Sequence, residues 1–130
     1  MTAYKRAAAA TAAATALLIA GCGSSSGNGA TSTTPGAIDV TVHSLDPKYS
    51  YDQKEYPAKA GTVTIELVND GKENHNLLIQ GVSKNKFKLS VIGTNATKSG
   101  SVQLSAGTYA IYCDIAGHRG AGMEAKLIVS

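Results

Sequence analysis

From residue 37 onward, hydrophobic residues occur at every second position in several short segments. Residues that favour turns separate the segments, among them Asp46-Pro47 and Ala60-Gly61. The alternating positions are Ile38/Val40/Val42, Val63/Ile65/Leu67, Val102/Leu104, Tyr109/Ile111/Cys113 and Leu127/Val129. A period of two is typical of β-strands that bury one face. Several such strands in one small domain predict an all-β fold with two packed sheets, either a sandwich or a flattened barrel.

Two regions are less regular. Residues 82–91 are compatible with a short helix or with an irregular strand, and Ser99-Gly100 predicts a turn. No segment has a convincing helical stripe.

The amino-terminal residues have the pattern of an export signal. Lys5 and Arg6 form a positive segment, and residues 7–20 are uncharged and mostly Ala and Leu. This hydrophobic stretch is shorter than the roughly 20 residues that a membrane-spanning helix needs. A basic pair, a short apolar stretch and small residues are typical of a signal peptide, which we predict for residues 1–21.

The end of this segment, Leu18-Ile19-Ala20-Gly21-Cys22, resembles the bacterial lipobox. The resemblance implies that Cys22 receives a diacylglyceryl thioether and becomes the first residue of the mature protein. Ordinary secretory cleavage near Ala20 is the alternative. Residues 22–36 are rich in Gly, Ser and Thr, and predict a flexible tether after the lipidated cysteine. We therefore expect an exported protein, anchored by lipid to the outer face of the bacterial cytoplasmic membrane, with one folded domain at residues 37–130.

The distribution of charge argues against nucleic acid as a partner. The whole chain has a net charge of +3, from 12 basic and 9 acidic residues. Without Lys5 and Arg6, 10 basic residues remain against 9 acidic ones, so the mature protein is almost neutral. The sequence also contains no basic stripe of the kind that follows a phosphate backbone.

Cys113 is the second of only two cysteines. If lipid occupies Cys22, an exported protein contains one unpaired thiol, which a structural disulfide does not explain. Cys113 shares the parity of Tyr109 and Ile111 at the end of an alternating strand. Its sulfur is therefore predicted to point between the two sheets.

A Gly-rich loop follows Cys113 and contains His118 and Met123. Because the loop leaves and re-enters one end of the predicted sandwich, it can bring these three side chains to a common point. His75 starts another strand and can reach the same end. Soft sulfur with imidazole selects copper, and a trigonal His₂Cys plane with a weak axial Met is the electron-transfer arrangement. His43 lies on the polar parity of its strand, so we expect it to be exposed to solvent.

Residues 37–130 resemble the cupredoxin family, to which plastocyanin, azurin and rusticyanin belong. The residues that carry the resemblance are Ala60-Gly61-Thr62-Val63, Val68-Asn69-Asp70-Gly71, His75-Asn76-Leu77 and the Cys-x₄-His-x₄-Met spacing from Cys113 to Met123. This spacing is closest to that of the rusticyanin and sulfocyanin loop.

The resemblance implies a Greek-key sandwich that binds one type 1 copper ion near one end. The ligands it implies are His75, Cys113, His118 and Met123. It also implies that Asn76 ties the two ligand segments together. Asn74 departs from the pattern, since azurin has a Gly there whose carbonyl approaches copper, and this departure argues against a second axial contact.

These features predict a monomeric, membrane-anchored electron carrier that exchanges electrons with a redox protein such as a cytochrome, an oxidase or a reductase. Small and apolar residues beside His118 predict the docking surface, namely Ile115, Ala116, Gly120 and Ala121. Four protein ligands leave no open coordination position, which argues against an enzyme. One alternative is an envelope protein that buffers or delivers copper through the same residues. Another is a metal-free adhesion domain, which leaves Cys113 unexplained.

Overall fold

The computed structural model describes residues 36–130 of the chain. The predicted signal peptide, Cys22 and the tether up to residue 35 lie outside this range. Within it the chain forms nine β-strands and one short helix: β1 (Val40–Leu45), β2 (Ser50–Tyr51), β3 (Glu55–Ala58), β4 (Gly61–Asn69), β5 (His75–Ile79), β6 (Leu89–Val91), β7 (Thr97–Leu104), β8 (Gly107–Tyr112), α1 (His118–Ala121) and β9 (Glu124–Val129). Within residues 36–130, no helix has the length and hydrophobicity needed to cross a membrane.

The strands form two mixed sheets. One sheet has the order β2-β1-β4-β7, and the other has the order β3-β9-β8-β5-β6. β1 runs parallel to β4 and β3 runs parallel to β9, whereas the remaining pairs are antiparallel. Neighbouring strands such as β5 and β8 are distant in sequence, as in a Greek-key sandwich. The all-β, two-sheet prediction is confirmed.

One hydrophobic core joins the two sheets. β1 and β9 alternate strictly between buried and more exposed residues, as their sequence period predicts. Buried side chains of the first sheet, including Val42 and Leu67, belong to the same cluster as Ile79, Ile111 and Leu127 of the second sheet. Burying one such side chain contributes about 1.5–3 kcal/mol. This core holds the strand ends from which the site is built.

The predicted turn at Ser99-Gly100 is wrong, because both residues lie inside β7. Gly100 pairs with Ile65 of β4. A Cβ atom at Gly100 would lie 3.1 Å from a methyl carbon of Leu89. The glycine therefore gives room to a core leucine and does not mark a change of chain direction.

The irregular region at residues 82–91 contains a turn followed by a strand. The Phe87 N–H donates to the Ser83 carbonyl at 3.0 Å, and β6 begins two residues later. Of the two possibilities that the sequence allowed, the irregular strand is the one observed.

Asn69, the last residue of β4, is a fully buried amide with all its hydrogen bonds satisfied. Its Nδ2 donates to the carbonyls of Glu73 at 2.7 Å and Gly93 at 2.8 Å. Its Oδ1 accepts from the Ser44 hydroxyl at 3.2 Å and the Gly71 N–H at 3.1 Å. These bonds fix the turn that leads into β5.

We predict that Asn69→Ala destabilises the protein by at least about 2 kcal/mol, because a buried group left without a partner costs about 1–3 kcal/mol. The measurement is the free energy of unfolding in urea. Asn85→Ala is the matched control, since Asn85 is exposed in a turn, and should change that free energy by no more than about 0.5 kcal/mol. Equal effects of the two substitutions would contradict the structural role of Asn69.

Candidate metal centre

Three of the predicted ligands form one cluster at an end of the sandwich. The candidate donor atoms of His75, Cys113 and His118 all lie within 4.8 Å of one another. Cys113 Sγ is 3.7 Å from His118 Nδ1, and the two imidazole centroids are 5.2 Å apart. His75 and Cys113 are fully buried, and His118 is 7% exposed. The cluster is therefore shielded from bulk water.

Strand pairing brings His75 and Cys113 together. His75 is the first residue of β5, where it pairs with Val91 of β6. Cys113 follows the last residue of β8, and β5 pairs antiparallel with β8 through Leu78 and Tyr112. The start of one strand thus lies beside the end of the other. Cys113 points into the core, on the same parity as the buried Ile111.

His118 lies in a single helical turn, α1, which the sequence did not predict. The turn is bracketed by Gly117 and Gly122, whose φ angles of 85° and 121° side chains rarely adopt. The Ala121 N–H donates to the Gly117 carbonyl at 3.0 Å. Four residues are too few to show a hydrophobic stripe, so periodicity has no signal for this helix.

Met123 follows α1 and is fully buried. Its N–H donates to the His118 carbonyl at 3.0 Å, and its own carbonyl accepts the Cys113 N–H at 3.2 Å. These two bonds tie the backbone of Met123 to two members of the cluster.

Asn76 joins the two ligand segments. Its backbone N–H donates to Cys113 Sγ at 3.3 Å, and its side-chain Nδ2 donates to Asp114 Oδ1 at 2.6 Å. A backbone N–H aimed at the sulfur holds it in place and tunes a sulfur that binds metal. The side-chain bond therefore connects Asp114, which follows Cys113, with Asn76, which follows His75.

Asp114 is the centre of a charged group that sequence reasoning missed. Lys84 Nζ and Lys88 Nζ lie 3.0 and 3.1 Å from its carboxylate. Burial alone raises the pKa of Asp114, but hydrogen bonds from Lys84, Lys88 and Asn76 lower this pKa to about 2. Both lysines are at least 26 positions away from Asp114 in the sequence, so no local sequence pattern predicts the contact.

The environment of His75 fits a metal ligand. Both ring nitrogens are buried and have no hydrogen-bond partner among residues 36–130. The closest carboxylate oxygen, on Asp46, lies 3.5 Å from Nε2 but does not form a hydrogen bond with it. Burial lowers the pKa of His75, which favours the neutral imidazole, the form that has a lone pair for a metal. Buried nitrogens without partners are otherwise costly.

The donor set favours copper. Cys113 is a free, buried cysteine, and it lies with two imidazoles. One thiolate and two imidazoles select copper over the hard cations, which prefer oxygen. The cluster therefore fits one type 1 copper ion. His43 is not part of it: its side chain is 38% exposed, and Nδ1 contacts Asp70 at 2.8 Å.

The predicted docking residues are mostly exposed. Ala116, Gly120 and Ala121 are exposed, and Ile115 is half-buried. All four belong to the loop that carries His118.

Tyr49, which precedes β2, was not predicted to belong to the site. Its ring stacks on the His118 ring, with centroids 4.2 Å apart and planes inclined by 26°. It also meets the His75 ring edge-on at 6.2 Å. A tyrosine in a turn has no sequence signal that links it to a histidine in another loop.

Comparison with known proteins agrees with this description. A protein-family model described as the sulfocyanin (SoxE) domain matches residues 53–130. No curated protein matches the chain significantly.

Several solved structures have a similar fold. Dithionite-reduced auracyanin from Roseiflexus castenholzii has a TM-score of 0.62 at 18% identity, over 70% of this chain and 95% of its own. Auracyanin A, a "blue" copper protein from Chloroflexus aurantiacus, has a TM-score of 0.59 at 21% identity, over 72% and 98% of the two chains. An azurin from Methylomonas sp. strain J has a TM-score of 0.58 at 16% identity, over 72% and 98%. At these identities the likeness shows a shared fold.

We predict that Cys113→Ser abolishes the intense visible absorption of the Cu(II)-loaded protein, because the absorption requires a thiolate on copper. Met123→Leu is the comparison variant: a weak axial thioether is not needed to hold the metal, so this variant should stay coloured and have a higher reduction potential. Absorption spectra of both variants, with circular dichroism to verify folding, make the test. A folded Cys113→Ser protein that keeps the band would contradict the assignment.

Proposed function

Since the chain belongs to the sulfocyanin family of blue copper proteins, we propose that it is a membrane-anchored carrier of single electrons outside the cytoplasm. A bound copper ion would supply the Cu(I)/Cu(II) couple. The observation that carries the proposal is the buried cluster of His75, Cys113 and His118. The protein's own task is to hold these donors in one geometry for both oxidation states.

Rigidity of the donors supports electron transfer. An electron carrier works fastest when its ligands move little between oxidation states. His75 lies in a strand paired on both sides, with β6 and with β8. The N–H of Asn76 fixes the sulfur of Cys113 from the same strand. Two of the donors are thus held by the sheet itself.

We assign Met123 as the fourth, axial ligand. Its backbone is hydrogen-bonded to Cys113 and His118, and its side chain is fully buried in the same region. A weak thioether bond tunes the reduction potential. Four protein donors would leave no position for a substrate, which supports electron transfer without substrate turnover.

Electrons enter and leave through His118 in this proposal. His118 is the most exposed member of the cluster, at 7%, and Ala116, Gly120 and Ala121 are exposed residues of the same loop. Small residues allow close approach, and a brief redox encounter needs only a small interface. The partner is a redox protein such as a cytochrome, an oxidase or a reductase, which docks on a monomer of this protein.

The membrane anchor is the lipidated Cys22, with residues 22–36 as a flexible tether. These residues precede or border the described range, so the support is the lipobox-like sequence after an export signal. Anchoring the carrier and its partner to one membrane would raise their effective concentration. It would thus allow rapid turnover at a weak docking surface.

We predict that Ala121→Asp slows electron self-exchange between Cu(I) and Cu(II) copies by about tenfold, equivalent to about 1.4 kcal/mol in the barrier. Two docking surfaces meet in self-exchange, so the new carboxylates repel each other. The measurement is NMR line broadening in mixtures of the two forms. Ala106→Asp is the matched control, because Ala106 is exposed before β8, at the end of that strand away from Cys113. If Ala106→Asp slows self-exchange and Ala121→Asp does not, electrons do not enter and leave through the surface beside His118.

We also predict that Cys22→Ala abolishes lipid attachment and processing of the full-length chain in a bacterial host, because the modified sulfur is removed. The readouts are detergent-phase partitioning and the mass of the amino-terminal peptide, with Ser24→Ala as control. A wild-type protein that stays in the aqueous phase with an unmodified Cys22 would exclude the anchor. Copper loading of the same preparations tests the electron carrier separately: a colourless protein that still binds copper would favour copper buffering.

A further inference from the structure

The ring of Tyr49 lies on the ring of His118, the most accessible residue of the cluster. The centroids are 4.2 Å apart and the planes differ by 26°, which is a stacked arrangement. Tyr49 is half-buried and reaches His118 from the turn between β1 and β2, a different part of the chain. The contact therefore joins the metal-binding loop to the opposite sheet.

Few polar contacts restrain the ring of His118. Within residues 36–130, Cys113 Sγ is the only side-chain atom in hydrogen-bond contact with the His118 ring, at 3.7 Å. The His75 ring, by contrast, is completely enclosed and belongs to a strand that has a neighbour on each side. The His118 ring is therefore oriented mainly by packing, and Tyr49 makes the closer of its two aromatic contacts, with centroids 4.2 Å apart against 5.2 Å for His75.

The backbone of Tyr49 supports a specific role for this side chain. Its φ angle is 47°, in the left-handed region that residues other than glycine rarely adopt. Such conformations persist where surrounding contacts hold them, and they concentrate at functional sites. The same ring also meets His75 edge-on at 6.2 Å. Tyr49 thus contacts both imidazoles of the cluster.

We propose that Tyr49 is a positioning residue that holds the His118 ring in its copper-binding orientation and slows release of the metal. The stack limits rotation of the imidazole out of the cluster and covers one of its faces. A ligand ring that swings out opens a coordination position, which is the first step of transfer to a competing chelator. The inference rests on the copper centre of the proposed carrier and adds a residue that controls copper retention.

The experiment compares wild type with Tyr49→Phe, which keeps the ring, and Tyr49→Leu, which removes it. Tyr109→Leu is the matched control, because Tyr109 is also half-buried and hydrogen-bonds to Ser105 near the start of β8. The first readout is the rate at which Cu(I) passes to bicinchoninate. The second is the NMR shift of the His118 ring protons, in the Cu(I) form and in the copper-free protein.

Loss of an aromatic stack should accelerate Cu(I) release by about 2- to 10-fold in Tyr49→Leu. It should also remove the upfield ring-current shift of the His118 protons. Tyr49→Phe should match wild type in both readouts. Tyr109→Leu should retain the release rate of wild type even where its melting temperature falls. If Tyr49→Leu does not fold, Tyr49→Met, which keeps an apolar contact without a ring, replaces it.

A blue Tyr49→Leu protein with wild-type release rate and wild-type His118 shifts would overturn the positioning role and leave the copper centre intact. Equal acceleration in Tyr109→Leu would also overturn it, since the effect would then reflect general stability. A wild-type protein without blue colour would instead refute the proposed carrier. The shifts in the copper-free protein would still show whether Tyr49 holds His118.

Discussion

The antiparallel register between β5 and β8 determines where histidine and thiolate meet. Leu78 pairs with Tyr112, and this register carries the start of β5 to the residue that follows β8. The N–H of Asn76 then reaches the sulfur of Cys113 at 3.3 Å. Because side chains alternate between faces, a slip of one residue would turn Cys113 out of the core. The register that packs the hydrophobic core therefore also builds the metal centre.

Charged groups lie just outside this centre, where water still reaches them. Asp114 follows Cys113 directly and binds two lysines and the amide of Asn76. Exposed ion pairs contribute little on their own, but the bond to Asn76 is partly buried and connects two ligand segments. The charged groups of Asp114 and its two lysines thus stabilise the ligand loop on the side that faces solvent. Inside the cluster, the donors are imidazoles and one sulfur.

Sequence reasoning predicted those parts of the molecule that depend on local periodicity or on spacing along the chain. Alternation gave the two-sheet fold, and the sequence from Cys113 to Met123 gave a candidate ligand loop. Sequence reasoning did not predict contacts between distant segments. Tyr49 contacts His118, and Asp114 contacts two lysines, and neither contact has a regular spacing in the sequence. Sequence reasoning also took Gly100 for a turn residue, because a glycine that makes room for a core side chain looks the same in sequence as one that bends the backbone.

Retention of copper and its release place opposite demands on the loop that carries His118. His75 is held by paired strands, but His118 belongs to one helical turn between two glycines and depends on contacts from outside the turn. Arg119 supplies several of them: its guanidinium lies 4.2 Å from the centre of the Tyr112 ring, pairs with Glu124, and donates to Gln80 at 2.9 Å. These partners lie on or beside β8, β9 and β5. These contacts fasten the helical turn to three strands of one sheet. They restrain the segment that carries His118, which supports the proposed electron carrier over metal delivery.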